Sequence, residues 1–283
     1  MSGYLLVFIA AVLWAFIGVF SKAILEAGVS SMEIAFWRAT IAGILFLIHA
    51  GVRKELKLQK KVDIPIFIAF ALFGVTLFYA SLILAIDAGS ISLAYILLYS
   101  APAWVVLLAF FLLKETITIK KLVLLAVALS GVVLVSLDKS DSIAVTPTAI
   151  FWGLVSGLSY ASYYIFGKWI LGRYKVITIY AFILPIGALG LLPFVHFSPK
   201  TPITYLYILA VAVLSTYLAY LVYFTGLKKI EASKAVMVAT VEPVISAALA
   251  AIFFSEALGI NGIIGGGLVL LASFLSLDFT KKP

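Results

Sequence analysis

A chain of 283 residues with 65% hydrophobic and only 11% charged side chains has too little polar surface to cover a water-soluble globule of this size. Its net charge of +8 sits in short connections between apolar runs and forms no basic stripe, which fits a lipid bilayer and argues against a nucleic-acid partner. Without cysteine there is no disulfide frame, no thiolate chemistry and no sulfur-ligated metal. The composition predicts an all-α integral membrane protein.

The first apolar run lacks a basic leader and is longer than a signal-peptide core, so it reads as a retained span. Nine further runs follow it. The ten predicted spans are approximately 4–25, 32–50, 64–85, 91–113, 121–137, 147–170, 176–196, 203–226, 235–254 and 261–278. Short loops join them, and nothing between them is long enough to form a soluble domain. With the N-terminus in the cytoplasm, sixteen lysines and arginines lie inside and four outside, the latter being Lys22, Arg38, Lys139 and Lys200. That bias predicts a multi-pass protein of the cell (plasma or inner) membrane with both termini cytoplasmic.

The two halves repeat each other. FSKAIL ends the first span and FGKWIL the sixth, with Trp14 and Tyr160 each eight residues before the lysine, Lys22 or Lys168. A constant offset of 141 pairs Tyr79 with Tyr220, Ser92 with Ser233, Pro102 with Pro243 and Glu115 with Glu256. This divides the chain into repeats at 1–140 and 141–283. Five spans per repeat is an odd number, so the second copy enters the membrane from the opposite side, giving two inverted five-helix repeats. Many secondary transporters are built this way, with a solute site near the midplane.

These features together resemble the EamA family of the drug/metabolite transporter superfamily: ten spans in a five-plus-five repeat, the segment from Trp14 to Lys22 with its copy, and the helices carrying Pro102 with Glu115 and Pro243 with Glu256. The resemblance covers nearly the whole chain. It implies a cavity lined by spans one, three, four, six, eight and nine, with spans two and seven outside and five and ten at the edge. It also implies export of amino acids or related metabolites by alternating access, with drug, nucleotide-sugar and sugar-phosphate carriage as alternatives. The small multidrug-resistance relatives carry a carboxylate inside their first span. Here spans one and six have none, which favours a facilitator or metabolite exporter over a proton-coupled cation pump.

Within that frame Glu242 is the costliest residue, since a carboxylate at hydrocarbon depth costs roughly 2.5–3.5 kcal/mol on insertion scales. It lies about 10 Å from the cytoplasmic edge, and its counterpart in the first repeat is Ala101. Three readings stay open: a titratable coupling group, an acceptor of a solute ammonium together with the carbonyl of Ala239, or a structural carboxyl. Pro102 and Pro243 each remove a helical hydrogen bond, as matched hinges or static kinks. Trp14, Tyr79, Tyr99, Tyr160, Tyr163 and Tyr220 are placed to line the cavity with Glu242, and Tyr164 shares a face with Tyr160 and Tyr163. Tyr4, Tyr174 and Tyr205 are expected in the interfacial belt, and Lys22 and Lys168 are expected to snorkel to the headgroups.

Arg38 is expected to pair with Glu33 or reach the outer interface, without a transport role. Glu115 and Glu256 are expected to act at helix ends. Glycines 153, 157, 262, 265, 266 and 267 suggest close helix packing. No metal cluster, nucleotide-phosphate loop or hydrolase motif occurs, so neither a cofactor nor an enzymatic site is expected. An intramembrane enzyme, a channel or a lipid scramblase are the competing classes. The expected partners are a small-molecule substrate and the bilayer, with monomer and homodimer both open.

Overall fold

The computed structural model describes residues 2–137, 145–254 and 259–276. Within them every regular element is helical. Nine segments are long and apolar enough to cross a membrane: α1 (Gly3–Glu26), α2 (Ser31–Val52), α3 (Lys61–Ala88), α4 (Leu93–Leu113), α5 (Ile119–Leu137), α6 (Pro147–Ile170), α7 (Val176–Phe194), α8 (Pro202–Leu227) and α9 (Ala232–Phe254). The tenth expected span is the apolar helix α10 (Ile260–Ser276), whose 17 described residues are fewer than in the other nine.

Serine and threonine set the helix starts. Ser2, Ser30, Ser90, Thr146 and Thr201 each accept a hydrogen bond from the backbone N–H three residues on, and Pro147 and Pro202 follow the last two at positions where no N–H is needed. The N-terminus of α9 lacks such a cap of its own. Glu115, from the loop after α4, supplies one by accepting from Ala232 N at 2.6 Å, Ser233 N at 3.2 Å and Ser233 Oγ at 2.5 Å. Its role at a helix end is thus served across 117 residues of chain. Glu256, Lys139, Lys281 and Lys282, which also entered the sequence reading, lie outside the described residues.

Four interruptions fall at the repeat offset. A π-helical turn at Leu72–Leu77 widens α3, and another at Val213–Leu218 widens α8. The chain of α4 is broken into Ile91–Leu98, which begins two residues ahead of the spanning segment, and Ala101–Leu113, and that of α9 into Ala232–Ala239 and Glu242–Phe254. Each boundary in α8 and α9 stands 141 residues after its partner in α3 and α4. The breaks follow from proline, because Pro102 cannot donate to the carbonyl of Leu98, nor Pro243 to that of Ala239. Chain direction shifts where the ladder is lost, and Ser100 N turns back to Leu97 O at 3.1 Å while Val241 N turns to Val238 O at 3.3 Å.

The packing follows the same scheme. Helix α6 lies against α3 and the broken α4, as α1 lies against α8 and the broken α9; α2 pairs with α7, and α5 with α10. Glycine permits the closest approaches. A Cβ on Gly157 would sit 2.7 Å from the carbonyl oxygen of Leu97 and 2.6 Å from Ser100 Oγ, so α6 presses directly on the break in α4. Between α5 and α10, a Cβ on Gly131 would meet Gly265 O at 2.6 Å, and one on Gly265 would meet Gly131 O at 2.5 Å. Gly267 faces open space, so only part of the α10 glycine run serves packing. Gly131→Ala is expected to force α5 and α10 apart at a cost of about 1–3 kcal/mol. Thermal unfolding of the purified protein in detergent checks this, and an unchanged midpoint would refute it.

Candidate functional site

One chamber opens among the helices, with a volume of about 130 Å³. Trp14 and Ile17 come from α1, Arg38 from α2, and Gly74, Phe78, Tyr79 and Leu82 from α3. Tyr95, Leu98 and Tyr99 come from α4, Tyr160 and Tyr163 from α6, Tyr220 from α8 and Glu242 from α9. All seven residues that the sequence placed together, Trp14, Tyr79, Tyr99, Tyr160, Tyr163, Tyr220 and Glu242, face this one space. Ala239 does not line it.

The helix breaks position the chamber's floor and wall. Tyr99 stands where the first half of α4 ends, and Glu242 is the first residue of the second half of α9. That position puts the carboxylate at the start of a helix whose next residue, Pro243, has no N–H and whose Val244 and Ile245 N–H groups both turn back to Val241 O at 3.1 Å. Among the described residues no hydrogen bond reaches the carboxylate. Pro102 is buried beside the break in α4, and Pro243 is half-buried beside Glu242.

The aromatic walls form a continuous set of ring contacts. Trp14 meets Tyr220 edge-on at 6.1 Å and Tyr223 at 4.9 Å; Tyr163 meets Tyr220 at 5.5 Å; Tyr160 stacks on Phe78 at 5.1 Å. Tyr164 lies outside the chamber and donates to the Tyr160 hydroxyl at 3.0 Å. The hydroxyls of Tyr163, Tyr180 and Tyr223 are buried and meet no hydrogen-bond geometry among the described residues, although those of Tyr163 and Tyr180 are close enough to interact. An unsatisfied buried hydroxyl costs about 1–3 kcal/mol. Three together give the aromatic core an unused hydrogen-bonding capacity, and Tyr163 presents its share at the chamber.

Arg38 departs from both sequence expectations. Its side chain neither pairs with Glu33 nor reaches the outer interface; it is buried, lines the chamber, and lies 5.7 Å from the centre of the Tyr79 ring. The π-helical turn of α8 holds it there. Thr216 in that turn donates its hydroxyl to Val211 O at 3.2 Å, which leaves Oγ1 free to accept from Arg38 Nε at 3.1 Å. The cost of a charge seven residues inside an apolar run was the signal for this residue. Glu33 instead pairs with Lys200, and also accepts from Trp37 Nε1 at 3.1 Å and from Ser198 N and Oγ at 3.1 and 2.8 Å.

Two further expectations change. Lys168 does not snorkel: its ammonium donates to Leu227 O at 2.6 Å and to Ile230 O, holding the end of α8, where cations suit the unpaired carbonyls. Tyr174 is not an interfacial belt residue. It is 5% exposed and donates to Asp63 Oδ2 at 2.7 Å, while Asp63 Oδ1 takes Arg173 at 2.5 Å. Burial, with that hydrogen bond to Asp63, raises the Tyr174 hydroxyl above the ordinary tyrosine pKa. The Asp63–Arg173 tie joins the first turn of α3 to the connection after α6, and the Glu33–Lys200 tie joins the start of α2 to the loop before α8.

The curated relatives of this chain are named as transporters. An uncharacterized transporter of Archaeoglobus fulgidus is 30% identical over 87% of this chain and 88% of its own length. The uncharacterized inner membrane transporter YicL of Salmonella typhimurium is 26% identical over 99% of this chain and 97% of its own. The uncharacterized transporter YetK of Bacillus subtilis is 25% identical over 85% of this chain and 76% of its own. A protein of known crystal structure superposes with a TM-score of 0.83 at 17% identity, covering 96% of this chain and 95% of that one, and so shares the fold. The EamA-like transporter family model matches residues 1–137 and 147–277. This helical, multi-pass membrane protein therefore belongs to the EamA-like transporter family.

Proposed function

We propose that this transporter is an alternating-access carrier of small organic metabolites that exports amino acids or related solutes across the cell membrane. Its ten helices form two inverted five-helix repeats, 1–140 and 141–283, with both termini cytoplasmic. The carrying observation is that both proline-broken helices present a residue of the break, Tyr99 and Glu242, to one chamber. Irregular backbone at membrane depth is tolerated where it is buried in protein or lines a cavity, and bending at matched breaks alters access to the chamber from either face.

The chamber's size supports a small solute. At about 130 Å³, it is near the ~150 Å³ cavity that accommodates benzene, whereas a nucleotide-sugar calls for a much larger space. Its tyrosines offer apolar faces with hydroxyls at their tips, which suits an amphipathic organic solute better than a bare ion. The expected result in proteoliposomes is counterflow: uptake of a labelled metabolite is accelerated by unlabelled metabolite inside. Uptake indifferent to internal loading would indicate a channel and refute the carrier reading.

A further inference from the structure

We infer that the chamber recognises a zwitterion by its two ends, Arg38 taking the carboxylate and Glu242 the ammonium of an α-amino acid. This rests on the carrier reading for the site's purpose, and adds which residues select the solute.

The argument starts from the cost of isolated charge. Ionisable groups inside a membrane protein are normally paired with one another or with backbone carbonyls, because the low-dielectric interior penalises a charge left alone. The chamber holds one of each sign, on α2 and on α9, and they form no ion pair with each other. Arg38 is only 6% exposed, yet hydrogen bonds among the described residues engage only its Nε. Its two terminal nitrogens, the fork that meets a carboxylate in bidentate fashion, are unused. Glu242 likewise accepts no hydrogen bond from a described residue, although it faces the chamber.

The geometry around each charge keeps it in place without using it up. Thr216 orients the guanidinium from the Nε side and the Tyr79 ring lies beside it. Glu242 opens the second half of α9, and among the described residues no lysine or arginine is ion-paired with its carboxylate. A zwitterion supplies both missing partners at once. Its side chain then meets Trp14, Phe78, Tyr160 and Tyr220, and the Tyr163 hydroxyl adds a donor or acceptor.

A solute with one charged end leaves the other chamber charge desolvated and unpaired. Sites built around a hydrogen-bonded group reject analogues lacking it by up to ~10⁴–10⁵-fold, so discrimination of at least about 100-fold is expected here.

The test is equilibrium binding to the purified wild-type protein in detergent, beside counterflow in vesicles, with the twenty common L-amino acids as probes. For the tightest binder, the amine lacking its carboxylate and the acid lacking its ammonium are then compared. The expected result is binding of at least one amino acid, with both analogues at least about 100-fold weaker. Arg38→Gln should erase the preference over the amine, and Glu242→Gln the preference over the acid, each sparing the other discrimination. Absence of amino-acid binding, or analogues within a few-fold of the parent, overturns the proposal on wild-type protein without recourse to variants. Discriminating binding without counterflow would instead refute the carrier reading and leave the recognition standing.

Discussion

Glu33→Ala is expected to destabilise the protein by about 2–4 kcal/mol, between the value of an exposed ion pair and that of a fully buried one. Glu33 is wholly shielded from solvent, and Lys200, with 3% of its side chain exposed, is nearly so. The carboxylate also serves Trp37 and both the backbone and hydroxyl of Ser198. Removing it strands a buried ammonium, whose remaining contacts are Ser198 O and the rings of Trp37 and Tyr205. The double variant Glu33→Ala/Lys200→Ala should recover part of the loss, since no charge is then left alone. Unfolding midpoints of the single and double variants in detergent decide it; additive losses would mean that the pair contributes nothing as a pair.

Pro243→Ala is expected to slow turnover by about tenfold to a hundredfold while leaving solute binding within a few-fold. Alanine restores an N–H at the position that faces the carbonyl of Ala239, and it is about 3 kcal/mol more favourable than proline inside a helix. A continuous α9 would then compete with the broken one. If bending at this break accompanies the exchange of access, the broken conformers needed for turnover become scarce. The chamber residues are unchanged, so affinity is largely retained. Counterflow rate set against equilibrium binding separates the two effects, and wild-type turnover would identify the break as a static kink.

Much of this architecture is legible in the chain, because hydropathy and proline act locally. Apolar runs mark the helices, Pro102 and Pro243 mark the breaks to within two residues, and the 141-residue offset anticipates the matched segments of α4 and α9. The aromatic chamber residues are legible for a different reason: the family resemblance implies which helices face inward, and tyrosines well inside those runs have no headgroup to meet.

What the chain conceals depends on residues far apart in sequence. The π-helical turns of α3 and α8 add one residue to the hydrogen-bonded loop of a helix, which leaves hydropathy unchanged. Arg38 reaches the chamber only because the turn of α8, 178 residues later, presents Thr216 to its Nε. Treating α2 as peripheral obscured that, although the depth of the charge pointed inward. Lys168 near the end of an apolar run is equally compatible with snorkelling and with capping. The position of Leu227 and Ile230 decides between them.

The presence of one arginine and one glutamate on the chamber walls bears on energetics as well as recognition. On the carrier reading, and with both groups ionised, a chamber whose own charges sum to zero presents no net charge to the membrane potential when it reorients empty. A zwitterion leaves that sum unchanged, so the loaded and empty steps are alike in doing no work against the voltage. On the carrier reading, reversing the solute's concentration difference would then reverse the direction of movement irrespective of the membrane voltage.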